Sequence, residues 1–362
     1  MKLGEVCDNI SVTFDKTKQQ VVLVNTSDVL NGKVTNHVLV NNKGLKGQFK
    51  KTFQKDDILY SEIRPKNKRF AFIDFNANDY VASTKLMVIR ANKKVLPQYL
   101  YQVLKSEEVI NQLQALAESR SGTFPQITFS ELAQINVRIP KLDEQKEIAN
   151  FLKLFDDKIE NNKKINHHLE QMATSIFENM FPNVSSGKST IGNYIIPKRG
   201  KNLLSKDAIV GKVPVVAGGL QPSTFHNIAN TKSPVLTISA SGANAGYVNL
   251  WHIPVWSSDS SYIDTSITDN VYFWYVMLKK RQQEIYDSQT GSAQPHIYPK
   301  HIEIMPTIDL SEDKVSRFTK QVTPLFESIG NNIKEIGELQ TLRDTLLPKL
   351  LSGEISVNQA AK

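Results

Sequence analysis

The chain has 362 residues, of which 40% are hydrophobic and 22% charged, and a formal net charge of +8. This composition is typical of a globular protein with room for two ordinary domains, so extensive disorder and fibrous structure are excluded. The single cysteine, Cys7, excludes an internal disulfide and a cysteine-based zinc site, and it fits a reducing cytosol. No apolar run approaches the roughly 20 residues that a membrane span needs, so we expect a cytoplasmic protein.

The positive charge lies outside two segments that are predicted as long helices. Lys and Arg exceed Asp and Glu by eight in residues 1–142 and by three in residues 182–311. A basic surplus on globular lobes favours binding to a polyanion, because the cations displace counterions from phosphates. Many proteins without such a partner are mildly basic, so the charge alone leaves both interpretations open.

The first 95 residues are predicted to form short strands separated by turn-rich segments. The apolar runs that indicate these strands are VVLVN, DILYSEIR, FAFIDF and KLMVIRA. A helical segment follows over residues 96–117, and the turn ESRSGTFPQI then leads into a strand that ends at Pro140.

Residues 143–181 are predicted to form one long helix, about 58 Å in length at roughly 1.5 Å per residue. Apolar residues recur in it at alternating spacings of four and three. This pattern is typical of a helix that packs along its length against another helix. Asn162 and Asn166 are the two polar positions of the apolar seam.

The second half of the chain has the same order of elements as the first. Short strands follow residue 182, and a helical segment follows them over residues 270–286. The turn DSQTGSAQPHI and the strand EIMPTIDL come next, before a second long helix over residues 311–352.

The two halves align with an offset of 170 residues. Ile148 falls on Phe318, and Asn162 falls on Asn332, so the apolar seam and its central asparagine are both repeated. Upstream, SGTFPQI aligns with TGSAQPHI, and DILYSEIRPKNKRFAFIDF aligns loosely with PVLTISASGANAGYVNLWH. The order is therefore lobe, long helix, lobe, long helix, which predicts an α+β fold with a pseudo-twofold internal repeat.

An antiparallel pair of long helices would place Asn162 opposite Asn332. Two facing asparagines would hydrogen-bond to each other and fix the register of the helices. The alternative is that each asparagine lies in a hydrated or partner-facing groove. Asn166 matches Ile336 in the repeat, so we expect Asn166 to face a partner subunit.

The chain resembles the specificity subunits of type I restriction–modification systems. The resemblance rests on PKLDEQKEIANFLKLFDDKIENN, on LQTLRDTLLPKLLSGEI and on the turns SGTFPQI and TGSAQPHI, and it covers essentially the whole chain. It implies two β-rich α/β target recognition domains joined by two long antiparallel helices that act as a coiled-coil spacer. The expected segments are a first lobe at 1–142, a helix at 143–181, a second lobe at 182–310, a helix at 311–352 and a tail at 353–362.

The resemblance also implies a function without an active site in this chain. The two lobes would read the halves of a bipartite double-stranded DNA site. Two modification subunits would dock on the long helices, where Asn162, Asn166 and Asn332 are the candidate register and docking residues. Those partners would bind S-adenosylmethionine and methylate adenine, and restriction subunits that translocate and cleave DNA would join them in some complexes. Magnesium and ATP are likewise expected only in the partners.

Two features depart from the family pattern. The second long helix begins with SEDK from Ser311 and lacks the Glu-Gln pair of the first. Pro348 lies inside the end of the second helix, where we expect a kink or an early stop.

Catalytic motifs are incomplete in this sequence. SGKST at residues 186–190 imitates the end of a phosphate-binding loop, but Pro182 stands where that loop needs its first glycine. His167 and His168 are adjacent on a predicted helix and have no cysteine nearby, which favours solvated histidines over a metal site. We therefore expect no metal and no catalysis in this chain, and a stand-alone nuclease or methyltransferase is the least favoured class.

Basic and amide side chains cluster in loops of both lobes. Arg and Asn supply bidentate contacts to base edges, whereas Lys supplies contacts to phosphates. The candidates for DNA binding in the first lobe are Lys43, Lys46, Gln48, Lys50, Lys51, Arg64, Lys66, Asn67, Lys68, Arg69, Arg120 and Thr123. Those in the second lobe are Lys198, Arg199, Lys201, Asn202, Ser241, Asn244, Ser292 and Gln294. For each of them the alternative is a solvated loop residue.

The alternative to DNA recognition is a coiled-coil interaction scaffold. Its two β-rich lobes would bind protein or another ligand, and its helices would serve only for oligomerisation. Salt dependence separates the two functions, because the affinity for DNA falls with rising salt in proportion to the number of phosphates neutralised.

Overall fold

The computed structural model describes residues 1–43, 47–119, 125–291 and 294–361. The chain divides into two compact units: unit 1 contains Met1–Ile159 and Glu338–Lys362, and unit 2 contains Glu160–Gly337. The sequence predicted lobes and long helices as separate segments. Each unit instead combines one lobe with parts of both long helices, because side chains of the helices complete the lobe cores.

The lobe of unit 1 contains two four-stranded sheets. Its strands are β1 (Cys7–Asn9), β2 (Gln20–Val24), β3 (Val29–Leu30), β4 (Lys33–Val34), β5 (Leu39–Asn41), β6 (Phe49–Lys51), β7 (Ile58–Ser61), β8 (Phe70–Phe72), β9 (Tyr80–Ser83) and β10 (Leu86–Ala91). One sheet is antiparallel, in the order β1-β10-β7-β8. The other has the order β5-β2-β9-β6, in which β2 and β9 are parallel, and β3 pairs with β4 as a separate hairpin.

The antiparallel sheet lies at the centre of unit 1. Ile58, Leu59 and Tyr60 of β7 are at most 1% exposed, and the first four residues of β10 are fully buried. A strand that is buried on both faces requires a continuous apolar run, which DILYSEIR and KLMVIRA supply. The register places Ile58 opposite Phe72 and Tyr60 opposite Phe70.

Helices follow the strands of unit 1. They are α1 (Pro97–Leu104), α2 (Glu107–Glu118), α3 (Phe129–Leu132) and the long α4 (Leu142–Met180). Proline at the first position of α1 fits a helix start, because the amide missing from proline would have no helical partner there. The Ser106 hydroxyl caps α2 by accepting a hydrogen bond from the Val109 amide at 3.4 Å.

The lobe of unit 2 repeats the antiparallel sheet. Its strands are β11 (Ser189–Thr190), β12 (Lys198–Arg199), β13 (Val213–Val216), β14 (Thr224–His226), β15 (Val235–Ser239), β16 (Val248–Trp251), β17 (Trp256–Ser257), β18 (Ser260–Asp264) and β19 (Pro306–Thr307). The order β12-β18-β15-β16 corresponds to β1-β10-β7-β8 of unit 1. A three-stranded sheet has the order β14-β13-β17, with β13 and β17 parallel, and β11 pairs with β19.

The remaining helices are α5 (Val271–Lys280), α6 (Gln282–Asp287), α7 (Pro299–Glu303), the long α8 (Glu312–Ser352) and α9 (Val357–Ala360). The mixed α and β content agrees with the prediction. Among the described residues, none of the helices is both long and apolar enough to cross a membrane.

The long helices begin and end within one residue of the predicted positions. Both start with a pair of acidic residues, which stabilise the positive end of the helix dipole. They run antiparallel within each unit, since the end of α4 packs on the start of α8 in unit 2 and the start of α4 shares a core with the end of α8 in unit 1.

The early stop expected at Pro348 does not occur. The helix α8 continues past Pro348 to Ser352. Leu347 and Leu350, on either side of the proline, are 6% and 0% exposed and belong to the core of unit 1. Burial of these two leucines stabilises the last turn and offsets the backbone hydrogen bond that Pro348 cannot donate.

Candidate nucleic-acid interface

The predicted basic loop of unit 1 is a hairpin turn between β7 and β8. Its tip is a short 3₁₀ turn, Pro65–Asn67, flanked by Arg64 and Lys68. Both flanking residues have left-handed backbone, with φ of 45° and 52°. The Asn67 amide donates to the Arg64 carbonyl at 2.8 Å, and the Lys68 amide donates to the Pro65 carbonyl at 2.9 Å. The turn is therefore closed by its own backbone.

The hairpin turn between β15 and β16 of unit 2 has a similar backbone. Glycines occupy its two left-handed positions, with φ of 80° at Gly242 and 88° at Gly246. The Ala245 amide donates to the Gly242 carbonyl at 2.9 Å, which is the counterpart of the bond between Asn67 and Arg64. The two units thus present similar turns with different side chains, although the Gly246 amide donates to the Ser239 carbonyl, whereas the corresponding Lys68 amide donates within the turn.

Hydrogen bonds at the base of each hairpin show which residues correspond. The amide that closes the hairpin belongs to Ser61 in unit 1 and to Ser239 in unit 2. It donates to a backbone carbonyl on the opposite side of the hairpin, at 2.8 Å in unit 1 and 3.0 Å in unit 2. Counted from these serines, Arg64 corresponds to Gly242. The sequence alignment placed Arg64 opposite Ser241, which is wrong by one residue. The correct register follows from the pairing of the strands, and the weak similarity of the two sequences did not reveal it.

The duplicated turns that precede the long helices meet the hairpins in both units. The Arg64 amide donates to the Pro125 carbonyl, and the Gly242 amide donates to the Pro295 carbonyl, both at 3.1 Å. In each unit a neighbouring amide of the duplicated turn donates back to the hairpin. The basic loop and the duplicated turn, which are far apart in the sequence, therefore form one surface in each unit. We call these backbone contacts between the hairpin and the duplicated turn the hairpin bridge.

Glutamines on the helices hold both hairpin turns. In unit 1, Oε1 of Gln114 on α2 accepts a hydrogen bond from the Lys66 amide at 3.1 Å. In unit 2, Nε2 of Gln282 on α6 donates to the Gly246 carbonyl at 2.7 Å, and its Oε1 accepts from the Val248 amide at 2.9 Å. Each turn is thus fixed to its lobe as well as closed on itself.

Most of the first-lobe candidates lie at the surface of unit 1. Lys68 is half-buried and forms an ion pair with Glu107. Arg69 is also half-buried, and its Nη1 donates to the Ser27 carbonyl at 2.8 Å. The exposed candidates are Lys43, Gln48, Lys50, Arg64, Lys66 and Asn67. Four predicted candidates lie outside the described residues, namely Lys46, Arg120, Thr123 and Ser292.

The contacts of Lys51 correct its predicted role. Its ammonium donates to the carbonyls of Thr84 and Leu86 at 3.2 and 2.8 Å, and burial lowers the pKa of this ammonium. Lys51 therefore satisfies backbone groups of its own lobe. The adjacent Lys50 is exposed. The two differ because successive side chains of a strand point to opposite faces, which the basic run did not reveal.

Second-lobe candidates surround the carboxylate of Asp259. Nη2 of Arg199 lies 2.6 Å from Oδ1 of Asp259, and the Ser241 hydroxyl donates to Oδ2. Asn244 is half-buried in the hairpin turn. The carboxylate orients both Arg199 and Ser241 beside the hairpin bridge. The other described candidates are exposed, namely Lys198, Lys201, Asn202 and Gln294.

Sequence reasoning missed polar and aromatic groups next to the hairpin bridge. In unit 1, the Lys85 ammonium donates to Oε1 of Gln126 at 3.0 Å. In unit 2, Tyr298 is 45% exposed and stacks with His296 and with His301, with ring centroids 5.8 Å apart in each pair. Exposed aromatic rings beside basic groups suit contacts with nucleobases. The run HIYPKH directly after the duplicated turn was the available signal.

The asparagines of the helix seam have other partners than predicted. Nδ2 of Asn162 donates to Oε2 of Glu335 at 2.7 Å, and Nδ2 of Asn332 donates to Oδ1 of Asn166, also at 2.7 Å. The predicted pairing of Asn162 with Asn332 is therefore wrong by about one helical turn. Asn166, predicted to face a partner subunit, instead joins the two helices.

The histidines and the cysteine that the sequence analysis considered lie in separate places in the described part of the chain. His167 and His168 lie side by side on α4, with ring centroids 6.0 Å apart. In the same described residues, no group of three or more His, Cys, Asp or Glu is placed to hold a metal ion. Burial raises the pKa of the Cys7 thiol to about 12, so this thiol stays protonated and unreactive.

Comparison with known proteins points to one family. Residues 1–171 match the family model of the type I restriction modification DNA specificity domain. The chain is similar to the type I restriction enzyme HindI specificity subunit of Haemophilus influenzae, with 40% identity over 237 residues, which are 63% of this chain and 51% of that protein. It is also similar to the type I restriction enzyme MjaIX specificity subunit of Methanocaldococcus jannaschii, with 26% identity over 361 residues, covering 88% of this chain and 82% of that protein.

The chain spans about half the length of the HindI subunit. Among solved structures, the type I restriction–modification system S subunit from M. genitalium is similar in fold, with a TM-score of 0.59 and 20% identity over 97% of this chain and 95% of that one. The family model and the curated relatives agree with the residues that carried the resemblance. The chain is therefore similar to type I restriction–modification specificity subunits, and its first 171 residues match the family model of their DNA specificity domain.

Proposed function

We propose that this chain recognises the DNA sequence for a type I restriction–modification complex. It reads a bipartite double-stranded site, with one unit for each half-site, and it performs no chemistry itself. Similarity to type I specificity subunits supports the recognition role. The basic surplus of both lobes supports DNA as the ligand, because phosphates dominate the affinity of such complexes.

The observation that carries this proposal is the repeated hairpin bridge. Both units hold a turn of similar backbone form against the duplicated turn, yet the side chains differ. Arg64 and Lys66 are exposed in unit 1, whereas unit 2 has glycines in the turn and places Ser241 and Arg199 beside it. A protein that recognises two different half-sites needs a common backbone that carries different side chains, because base edges are distinguished by their donors and acceptors.

The long helices are the proposed docking platform for two modification subunits. Large apolar side chains remain exposed along α4 and α8, as expected of a surface that a partner covers. They are Leu154, Ile165 and Met172 on α4, and Ile333 and Leu342 on α8. In this proposal, S-adenosylmethionine belongs to the modification subunits, and magnesium and ATP belong to restriction subunits where these are present.

Mapping of methylated adenines in DNA tests the proposal directly. The chain is expressed with its modification partner in cells that lack other methyltransferases. We expect one interrupted motif with a methylated adenine in each half. Methylation of unrelated sequences at equal frequency would contradict the recognition role, and a continuous motif would contradict the assignment of one half-site to each unit.

Salt dependence of DNA binding separates this function from an interaction scaffold. For the complex with its modification partner, we expect the logarithm of the affinity to fall linearly with the logarithm of salt, with a slope set by the phosphates neutralised. Lack of DNA retention at low salt would favour the scaffold instead.

A further inference from the structure

Arg64 and Lys68 hold an unfavourable backbone conformation in the hairpin turn of unit 1. Within the described residues, positive φ occurs outside glycine at Asn31, Asp56, Arg64, Lys68 and Asn183. Asn and Asp tolerate the left-handed region, because their short side chains hydrogen-bond locally. Arginine and lysine lack the short polar side chain that eases this conformation for Asn and Asp, so a left-handed backbone costs each on the order of 1 kcal/mol.

The same turn in unit 2 shows that this cost is not forced by the fold. Gly242 and Gly246 supply both left-handed residues without strain. At Gly246 an added Cβ would lie 2.9 Å from Cγ2 of Ile285, so packing also requires glycine there. At Gly242 an added Cβ would meet nothing within 4 Å, so only the backbone conformation favours glycine. The position shared by Arg64 and Gly242 is thus open to any side chain that offsets the strain.

The backbone around Arg64 is fixed from both sides. Its amide donates to the Pro125 carbonyl at 3.1 Å, and its carbonyl accepts from the Asn67 amide at 2.8 Å. The next amide, that of Lys66, is held by Gln114 at 3.1 Å. A guanidinium can donate two hydrogen bonds to a phosphate or to a guanine edge, but a side chain that reads a base must also stay in register with one base pair, which a fixed backbone supports. Strain together with rigid placement favours the second role.

We infer that Arg64 is a specificity-determining residue that reads one base of the half-site bound by unit 1, with guanine as the base that matches its fork of donors. This inference rests on the proposed function and goes beyond it by naming the residue, the turn and the base class. Lys68 is paired with Glu107 and supports the turn beside it.

The variant Arg64→Gly tests the inference because stability and recognition should change in opposite directions. Loss of the strain raises the Tm of the full chain by about 1–3 °C. Loss of the base contact relaxes the methylated motif at one position of one half-site and lowers the affinity for the original sequence about tenfold. The Tm is measured by calorimetry, and the motif is mapped in cells with the modification partner.

Two further variants provide controls. Arg64→Lys keeps both the charge and the strained conformation. We therefore expect its motif to be relaxed at the same position as that of Arg64→Gly, and its Tm to equal that of the native chain. Asn183→Gly relieves a left-handed residue outside the hairpin bridge, with φ of 52° in the native chain, and it should leave the motif unchanged.

Several outcomes would overturn the inference. A Tm that is unchanged or lowered by Arg64→Gly would exclude the strain. An affinity that falls equally for all sequences would make Arg64 a phosphate contact. If the Arg64→Gly variant still methylates the unchanged motif, the inference is wrong and the proposed function stands. If the native complex methylates no defined motif, both the inference and the proposed function are wrong.

Discussion

The lobes of the two units are joined to the long helices by different kinds of interaction, although their central sheets share one strand order. In unit 1, charged side chains of α4, of α8 and of Lys105, which directly follows α1, meet in an ion cluster. In unit 2, aromatic rings of α4, α5 and α8 fill the junction. An ion cluster loses most of its stabilisation when one partner is removed, whereas aromatic packing depends on shape and volume. A shared topology therefore does not fix the energetics of the junction.

The ion cluster of unit 1 is centred on Asp156. Oδ2 of Asp156 lies 2.8 Å from Nζ of Lys105, and Oδ1 lies 2.8 Å from Nη1 of Arg343. The side chain of Lys105 is 10% exposed, and burial lowers the pKa of its ammonium. Burial raises the pKa of the Asp156 carboxyl, but Lys105 and Arg343 more than offset this, so its pKa lies below the ordinary value.

The aromatic junction of unit 2 is centred on Phe318 of α8. Its ring centroid lies 5.6 Å from that of Phe177, 6.1 Å from that of Phe181 and 5.9 Å from that of Phe273. The interplanar angles are 81°, 82° and 78°, so each neighbour meets it edge to face. This geometry is the favourable one for aromatic rings and adds to the free energy of their burial.

The largest effect is expected for Phe318→Ala in unit 2. The side chain is fully buried, so its removal should lower the free energy of unfolding by about 3–5 kcal/mol. Denaturant unfolding, followed by hydrogen exchange assigned to each unit, measures the loss and its location. Phe225→Ala is the matched control, because Phe225 of unit 2 is 52% exposed and should cost far less. Equal losses for the two variants would refute the aromatic junction.

The next largest effect is expected for Asp156→Asn in unit 1. The variant leaves Lys105 and Arg343 without their shared carboxylate, so we expect a loss of about 2–4 kcal/mol. Part of Asp156 is exposed, which places the value toward the lower end. A double-mutant cycle with Lys105→Met separates the pair from other contacts.

Asp157→Asn is the control for the ion cluster. Lys153 and Asp157 form a neighbouring ion pair on α4, but their side chains are 61% and 53% exposed. Exposed pairs contribute well below 1 kcal/mol because water screens them. If the two aspartate variants lost the same free energy, burial of the cluster would play no part in stabilising unit 1.

A pH-dependent loss of stability is expected in unit 2 from His252. This residue lies against Gly330 of α8, where an added Cβ would be 2.9 Å from the imidazole. Burial lowers the pKa of His252 to about 4. The unfolded chain binds this proton below about pH 6.5, so stability is complete above that pH and is lost as the pH falls toward 4. Between pH 7 and pH 5 the loss is about 2 kcal/mol.

His252→Gln tests this prediction, because glutamine does not titrate. Urea unfolding of both proteins at pH 7 and pH 5 gives the two losses, and their difference removes the contribution of all other titrating groups. We expect the variant to lose about 2 kcal/mol less than the native chain over this interval. The same pH dependence in both proteins would show that His252 is protonated as easily in the folded state as in the unfolded one.

The smallest effect is expected at the asparagine pair of the helix seam. Asn332→Leu leaves Oδ1 of Asn166 without its donor and should cost about 1 kcal/mol. The double variant with Asn166→Leu should recover most of this loss, because two apolar residues then face each other. Denaturant unfolding of the single and double variants measures the coupling. Additive losses would mean that the two asparagines do not interact in solution.

The long helices could be predicted from the sequence because their signal is periodic. The seam spacing placed α4 and α8 within one residue of their bounds. The partners of the seam asparagines could not be predicted in the same way. The 170-residue repeat relates equivalent residues, whereas pairing across an antiparallel pair depends on the axial position of one helix against the other. In the structure that position brings Asn162 to Glu335.

The candidate interface was only partly predictable for a similar reason. The basic loop was visible as RPKNKRF, and its similarity in role to SGANAGY was visible from the repeat. The hairpin bridge was not, because it joins segments far apart in the chain through backbone bonds that any residue can form. The role of Lys51 also depended on tertiary structure, since the carbonyls that hold it come from β10 and the turn before it.

The hairpin bridge shows where the two halves of the chain differ in length. Ile63 and Gln126 are bridged across 63 positions in unit 1, and Ser241 and His296 across 55 in unit 2. Beyond the bridge the spacing is constant, since Gln126 and His296 each precede the start of the next long helix by 16 positions. The difference in length between the two units therefore lies between the two bridged residues, and the segment from the bridge to the long helix has the same length in both units.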